Sequence, residues 1–192
     1  MSTVPEAESL SVKIDLASDL LNRLDTKLKE NSVALELPKA EGVIRKCQNS
    51  MISILESLQN GDVEFWLDRN SLLASCRTGW LLPWEMSLSI GMISTEWERL
   101  VSSSIPASCG FEIEGNLLTG RRKKTDSSPR PEVKTCIWMK AGGRLLSGSL
   151  NISEQMIYPL KPILLNEREF LAPNESWSIL KAEYGADWMK HV

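Results

Sequence analysis

Val133-Lys-Thr-Cys-Ile-Trp-Met-Lys-Ala141 and Arg144-Leu-Leu-Ser-Gly-Ser-Leu-Asn-Ile152 are separated only by Gly142-Gly143. A two-residue hairpin turn puts its central residues at positive φ, which glycine adopts without steric cost. Folding the two runs about those glycines pairs Met139 with Leu146, Ile137 with Gly148, Thr135 with Leu150 and Val133 with Ile152. That face is almost wholly apolar. The opposite face brings together Trp138 and Ser147, Cys136 and Ser149, and Lys134 and Asn151. Turn chemistry and two-sided patterning select the same register, so the hairpin over 133–152 is the element from which the fold is read.

Upstream of it, Phe111, Ile113 and Leu117 suggest a strand, followed by a polar, proline-containing loop over 119–131. Downstream, Pro159 and Pro162 punctuate an extended stretch. Asn174 is placed to cap a last helix that runs to about Glu183 and stops at Gly185. Toward the N-terminus the clearest helix starts at Lys39, carries Val43, Cys47, Met51, Ile54, Leu55 and Leu58 on one stripe, and ends at Asn60-Gly61. Val63, Phe65 and Leu67 then read as a brief strand interrupted by the turn-like Asp68-Arg69-Asn70-Ser71.

Trp80-Leu-Leu-Pro-Trp84 is expected to open a further helix, because Met86, Ile90, Ile93, Trp97, Leu100 and Val101 keep a three-four spacing. Residues 10–16 alternate as a strand does and 18–31 carry leucines spaced for a helix, although one helix over about 10–30 fits the same residues. The expected fold is therefore α+β: helices packed on an antiparallel sheet, with the 133–152 β-hairpin and a C-terminal helix. Residues 1–9 are expected to form a flexible arm, and 10–192 a single domain with an exposed basic loop at 119–131.

Composition narrows function mainly by exclusion. With 192 residues, 42% hydrophobic and 24% charged, the chain can bury a core and is not of disordered type. It holds no run of about 18 apolar residues of the kind that spans a bilayer. The one histidine is His191, next to last, which removes imidazole acid-base chemistry from the body of the chain. Cys47, Cys76, Cys109 and Cys136 form no C-x-x-C, so neither a zinc ribbon nor a dithiol redox pair is available, and reduced, buried thiols are expected. Met1-Ser-Thr-Val-Pro-Glu-Ala-Glu8 is acidic and lacks the basic start and apolar stretch of a signal peptide, so the expectation is a protein that is not secreted.

The motifs G-x-G-x-x-G, G-x-x-x-x-G-K-[ST] and G-x-S-x-G are absent. No enzyme is expected, and no catalytic residue, cofactor or metal ligand is assigned. A net charge of -3 argues against a surface that embraces nucleic acid as a whole, so any such contact must be local.

Arg121-Arg-Lys-Lys124, with Arg130 and Lys134 nearby and Asp126 and Glu132 diluting it, is the one concentration of positive charge. Phosphate contact, lipid headgroup contact, binding to an import receptor and a merely solvated loop all stay open for it. Ser127 and Ser128 beside it are candidates for phosphorylation that would weaken such contacts. Trp80, Trp84, Trp97 and Trp138 lie within apolar patterns and are expected in the core, whereas Trp177 and Trp188, near the tail, are the candidate assembly contacts.

The element order resembles a known layout. A helix leads to the strand Cys109-Gly-Phe-Glu-Ile-Glu-Gly115, then come a basic loop, an antiparallel hairpin and a closing helix with tryptophan. In order and size, over roughly residues 60–190, this is similar to the rhabdovirus matrix proteins. The acidic start and the lack of a P-P-x-Y budding motif point to the plant-infecting type within that family.

The resemblance implies a non-enzymatic, self-assembling structural protein that bridges a viral nucleocapsid and envelope. Its partners would be copies of itself and a nucleocapsid protein, with a membrane surface as a further option and nucleic acid left open. It would reside in the virion and host cytoplasm, with the nucleus as an added site. The alternatives from other classes are a nucleic-acid-binding protein, such as a viral suppressor of RNA silencing, and a cellular protein-interaction adaptor.

Overall fold

The amphipathic stripe read from Lys39 onward forms α1 (Leu37–Asn60) in the computed structural model, which describes residues 37–120 and 130–189. Its Cys47, Met51, Ile54, Leu55 and Leu58 are buried, and Asn60-Gly61 ends it as expected. The elements expected within residues 1–36 lie outside the described residues. The chain divides into two compact units, Met1–Gly42 and Val43–Val192, and the description that follows concerns the second.

After α1 come β1 (Trp66–Leu67), α2 (Arg69–Arg77), β2 (Ser87–Ile93), α3 (Ser94–Ser102) and α4 (Ile105–Cys109). They are followed by β3 (Phe111–Glu114), β4 (Leu117–Gly120), β5 (Glu132–Ala141), β6 (Arg144–Ser147) and β7 (Leu150–Ser153). The chain closes with α5 (Glu154–Ile157), β8 (Lys161–Leu165), β9 (Arg168–Ala172) and α6 (Ser176–Tyr184). The fold is α+β, with a seven-stranded sheet, a separate β8-β9 hairpin and a C-terminal helix.

Pairing in the main sheet runs β1-β2-β5-β4-β3, with β6 on β5 and β7 on β6. All of these pairs are antiparallel except β2 with β5, which is parallel and joins Ser87–Ile93 to Glu132–Trp138 residue by residue. The sheet is thus mixed where an antiparallel one was expected.

The long helix expected from Trp80 to Val101 is a correction. Ser87-Leu-Ser-Ile-Gly-Met-Ile93 is a strand, and only Ser94–Ser102 is helical. Leu88, Ile90 and Met92 alternate with the small Ser89 and Gly91, a period of two that the wider three-four spacing disguises. The turn expected at Asp68-Arg69-Asn70-Ser71 instead starts α2, with Asp68 as its N-cap. Aspartate and serine favour both settings through the same side-chain bonds to nearby backbone, so local sequence does not separate them.

The Gly142-Gly143 turn forms, with φ of 56° and 74°, and sets Met139 opposite Leu146 as expected. The rest of the expected register is overturned. A second two-residue turn at Gly148-Ser149 folds β7 back onto β6, where Ser147 faces Leu150 and Leu145 faces Ile152. Val133 pairs instead with Leu118 of β4 on one edge of β5 and with Leu88 of β2 on the other, and Thr135 pairs with Ile90 of β2. The second run therefore makes two short strands, because Gly148 takes φ of 58° and reverses the chain early. Asn174 does not cap α6; its side-chain amide donates to the Gln155 carbonyl at 3.0 Å, and Glu175 is the N-cap residue.

Both faces of the sheet are covered, each by its own core. Leu67, Leu88, Ile90, Met92, Leu118 and Val133 pack with the α1 stripe, Phe65 and Phe170. Trp66, Trp138, Leu145, Ile152, Ile157 and Ile179 form the other cluster. Neighbouring strand residues point to opposite faces, which is why Trp66 and Leu67 feed different cores. The first core covers only the start of β5, so Met139 on that face is 60% exposed while Trp138 on the other is 1% exposed.

Gly91 is where the second core meets the sheet. A Cβ built there would lie 2.1 Å from Trp66 Nε1, so the indole rests on bare backbone. Trp66 is wholly buried, with Trp138 and Tyr158 rings at 6.2 and 6.1 Å, and has no room to withdraw. Gly91→Ala should lower unfolding free energy by about 3 kcal/mol, the upper part of the usual range for overpacking a core. Urea denaturation of the purified chain measures this, and an unchanged midpoint would contradict the packing described.

Candidate functional site

Asp68 stands between β1 and α2 and is 1% exposed. Its N–H donates to the Ser89 carbonyl at 3.0 Å. Its Oδ1 accepts from the Arg69 N–H at 2.9 Å and its Oδ2 from Trp138 Nε1 at 3.0 Å. Asn70 and Ser71 fasten the same turn to β2: Ser71 Oγ accepts from the Ser89 N–H at 2.7 Å, and Asn70 Nδ2 donates to the Ser87 carbonyl at 2.8 Å. Burial pushes the Asp68 carboxyl above the usual carboxylate range, and the bonds from Trp138 and Arg69 and the Arg69 charge offset this only in part.

Arg69 follows with φ of 46°, a left-handed conformation uncommon for a side-chain-bearing residue. Its Nε lies 3.6 Å from Glu183 Oε1 of α6. Glu183 Oε2 is buried with no hydrogen-bond partner among the described residues, and burial, followed by the Asp68 charge, raises the Glu183 pKa. Cys136 completes the group. Its thiol is pushed up to about 12, first by burial and then by the Asp68 charge, so it stays protonated at neutral pH and is not armed as a nucleophile.

Beside this group a cleft of about 500 Å³ opens on the β2-β5 surface, within the size range of small-molecule sites. Arg69 enters it from the start of α2, Ser89 from β2, Lys134, Thr135 and Cys136 from β5, and Asn116 from the β3-β4 turn. Thr135 is 1% exposed and its hydroxyl has no partner among the described residues. Asn116 holds the rim: its Nδ2 donates to the Thr135 carbonyl at 3.1 Å, and its own carbonyl accepts from the Thr135 N–H at 2.8 Å. Among the described residues no group of three or more His, Cys, Asp or Glu side chains is placed to hold a metal ion.

Of the basic residues singled out in the sequence, Lys134 lines this cleft. Arg121, Arg122, Lys123 and Lys124 fall outside the described residues. Arg130 forms an ion pair with Glu114, Nη1 to Oε1 at 2.6 Å. Trp177 is 58% exposed, whereas Trp188 is 5% exposed and meets Trp177 edge to face at a centroid distance of 5.0 Å. Arg77 Nη2 donates to the Trp188 carbonyl, so this tail residue is docked within its own chain. Trp80 and Trp84, expected in the core, are 50% and 62% exposed, a correction that follows from the loss of the helix on which they were placed. All four cysteines are free, but only Cys47 is buried and the other three are partly exposed.

The Asp68-Arg69-Cys136-Glu183 group brings together residues far apart in sequence. The polar run Asp68-Arg69-Asn70-Ser71 between apolar stretches was its one local signal, and it reads as a turn.

The raised Asp68 pKa makes stability depend on pH with a definite sign. Between the ordinary value of 3.8 and its higher folded value, the native state binds more protons than the unfolded state. The Asp68 contribution therefore declines as pH rises through that interval and is level above it. Relative to Asp68→Asn, which keeps an acceptor oxygen without the charge, the parent should lose stability as pH is raised from about 4, a trend measured by urea unfolding of both chains. A pH-independent difference between them would contradict the burial described.

Against known proteins, no family model matches the chain and no curated protein matches it.

Proposed function

We propose that this chain is a non-enzymatic structural protein that works by association, first with copies of itself, in the manner of a matrix layer. The observation that carries this reading is the placement of large apolar side chains on the surface. Trp80, Trp84 and Leu164 are 50%, 62% and 56% exposed. Trp80, on the loop after α2, and Leu164, on β8, are tied together, since the Asn166 N–H after β8 donates to the Gly79 carbonyl at 2.7 Å and the Leu81 N–H to Asn166 Oδ1 at 2.8 Å. Exposed apolar surface carried on a backbone held this firmly is characteristic of protein-protein contact, and tryptophan is the residue most enriched where such contacts carry energy.

The matrix role, with a nucleocapsid protein and an envelope as neighbours, is the finer form of this proposal and comes from the resemblance in element order. No helix among the described residues is long and apolar enough to cross a membrane, so an envelope would be met at its surface. Nucleic-acid binding is the less favoured reading, because Arg130 already pairs with Glu114.

Light scattering coupled to size exclusion, at rising protein concentration, tests the proposal. The particle mass should climb with concentration and persist at high salt, as apolar contacts do. The double variant Trp80→Ser, Trp84→Ser should stay monomeric, with an unfolding midpoint close to the parent's because both side chains are exposed. A parent chain that remains monomeric throughout the range would overturn the proposal.

A further inference from the structure

We propose that the cleft on β2 and β5 is a binding site for the phosphate group of a small phosphorylated molecule, held between Arg69 and Lys134. Three observations on separate elements converge there. The first is a pair of cations, one on a helix and one on a strand, on the wall of a single cleft. Lys134 has no ion pair among the described residues. Arg69 meets Glu183 through Nε alone, which leaves its two terminal amino groups without a carboxylate partner among those residues. A guanidinium in that state presents the fork that phosphate oxygens accept in pairs.

The second is Ser89, 5% exposed, which pairs with Lys134 in the register and whose hydroxyl-bearing side chain lines the same wall. Hydroxyls donate to phosphate oxygens as readily as they accept from other groups.

The third is the effort the fold spends on Arg69. The residue is held at φ of 46°, with Asp68 capping beneath it, and its Nη2 lies 3.7 Å from where a Cβ on Gly148 would stand. A strained backbone held from several sides marks positions whose side chain must be delivered to one place. Asp68 and Glu183 keep Arg69 oriented, while Lys134, on β5, supplies charge without an ion-pair partner among the described residues. At about 500 Å³ the cleft exceeds what one phosphate fills, and it leaves space for a body of sugar size.

The test uses the full chain labelled with ¹⁵N, followed by heteronuclear correlation spectra during titration with inorganic phosphate, glucose 6-phosphate and glucose, each to about 10 mM. Glucose 6-phosphate and phosphate should shift the amides of Thr135 and Cys136 and the indole N–H of Trp138, and glucose should not. Lys134→Ala, a change at an exposed position, should weaken the glucose 6-phosphate response roughly ten-fold and leave the unfolding midpoint in place. Arg69→Lys, which keeps the charge but removes the fork, should weaken it as well. If glucose 6-phosphate binds no better than inorganic phosphate, the site holds the free ion and the sugar-sized body is wrong. If neither phosphate-bearing probe moves these signals, or if both move them equally in Lys134→Ala, the site does not exist as proposed.

Discussion

The carboxylate of Asp68 is the point on which the second unit turns. It is a charge taken out of water, and such a group persists only where hydrogen bonds replace those it gave up. Here the Arg69 N–H and Trp138 Nε1 do so, while the residue's own N–H is bonded to Ser89. One residue thus ties together the end of β1, the start of α2, β2 and the middle of β5. Removing only one member of such a group leaves the others buried and unpaired, which costs more than the bonds themselves are worth. The Trp66 ring on Gly91 depends on the same arrangement, since Trp138, one of its two ring neighbours, is bonded to Asp68.

From that point the molecule divides its work by face. The early part of β5 closes the first core through Val133, while Trp138 further along closes the second. Between them lie Lys134, exposed in the cleft, and Cys136, which lines the cleft while packing against the second core. A strand that changes which face it buries must leave a stretch where its side chains are only partly covered, and the cleft occupies that stretch. The exposed tryptophans belong to a different part of the chain, on the loop after α2 and near the start of α6. Two kinds of surface result, one concave and charged, the other apolar and projecting.

Much of the local structure was legible. The α1 stripe, the Gly142-Gly143 turn and the C-terminal helix each rest on side chains that act within a few residues, through helical periodicity or positive φ. Failures occurred where two patterns share residues. Leu88, Ile90 and Met92 satisfy the strand period, yet Met86, Ile90, Ile93 and Trp97 satisfy the helical one, and only the β5 edge on which β2 lies decides between them. Asp68-Arg69-Asn70-Ser71 carries residues equally suited to a turn and to a helix cap. The hairpin register failed beyond its tip because Gly148 offered a second reversal, and the apolar residues of β5 had other strands to meet.

The sequence by itself determined the class of the fold, the span of its best helix and the absence of imidazole from the body of the chain. Each follows from composition or from contacts between near neighbours. Only the tertiary structure decided that β2 and β5 run parallel, that Trp138 is buried while Trp80 and Trp84 are not, and that Asp68, Arg69, Cys136 and Glu183 meet beside a cleft. Those outcomes depend on which distant segments exclude water from one another, and burial of that kind is a property of pairs of segments that no single stretch of chain encodes.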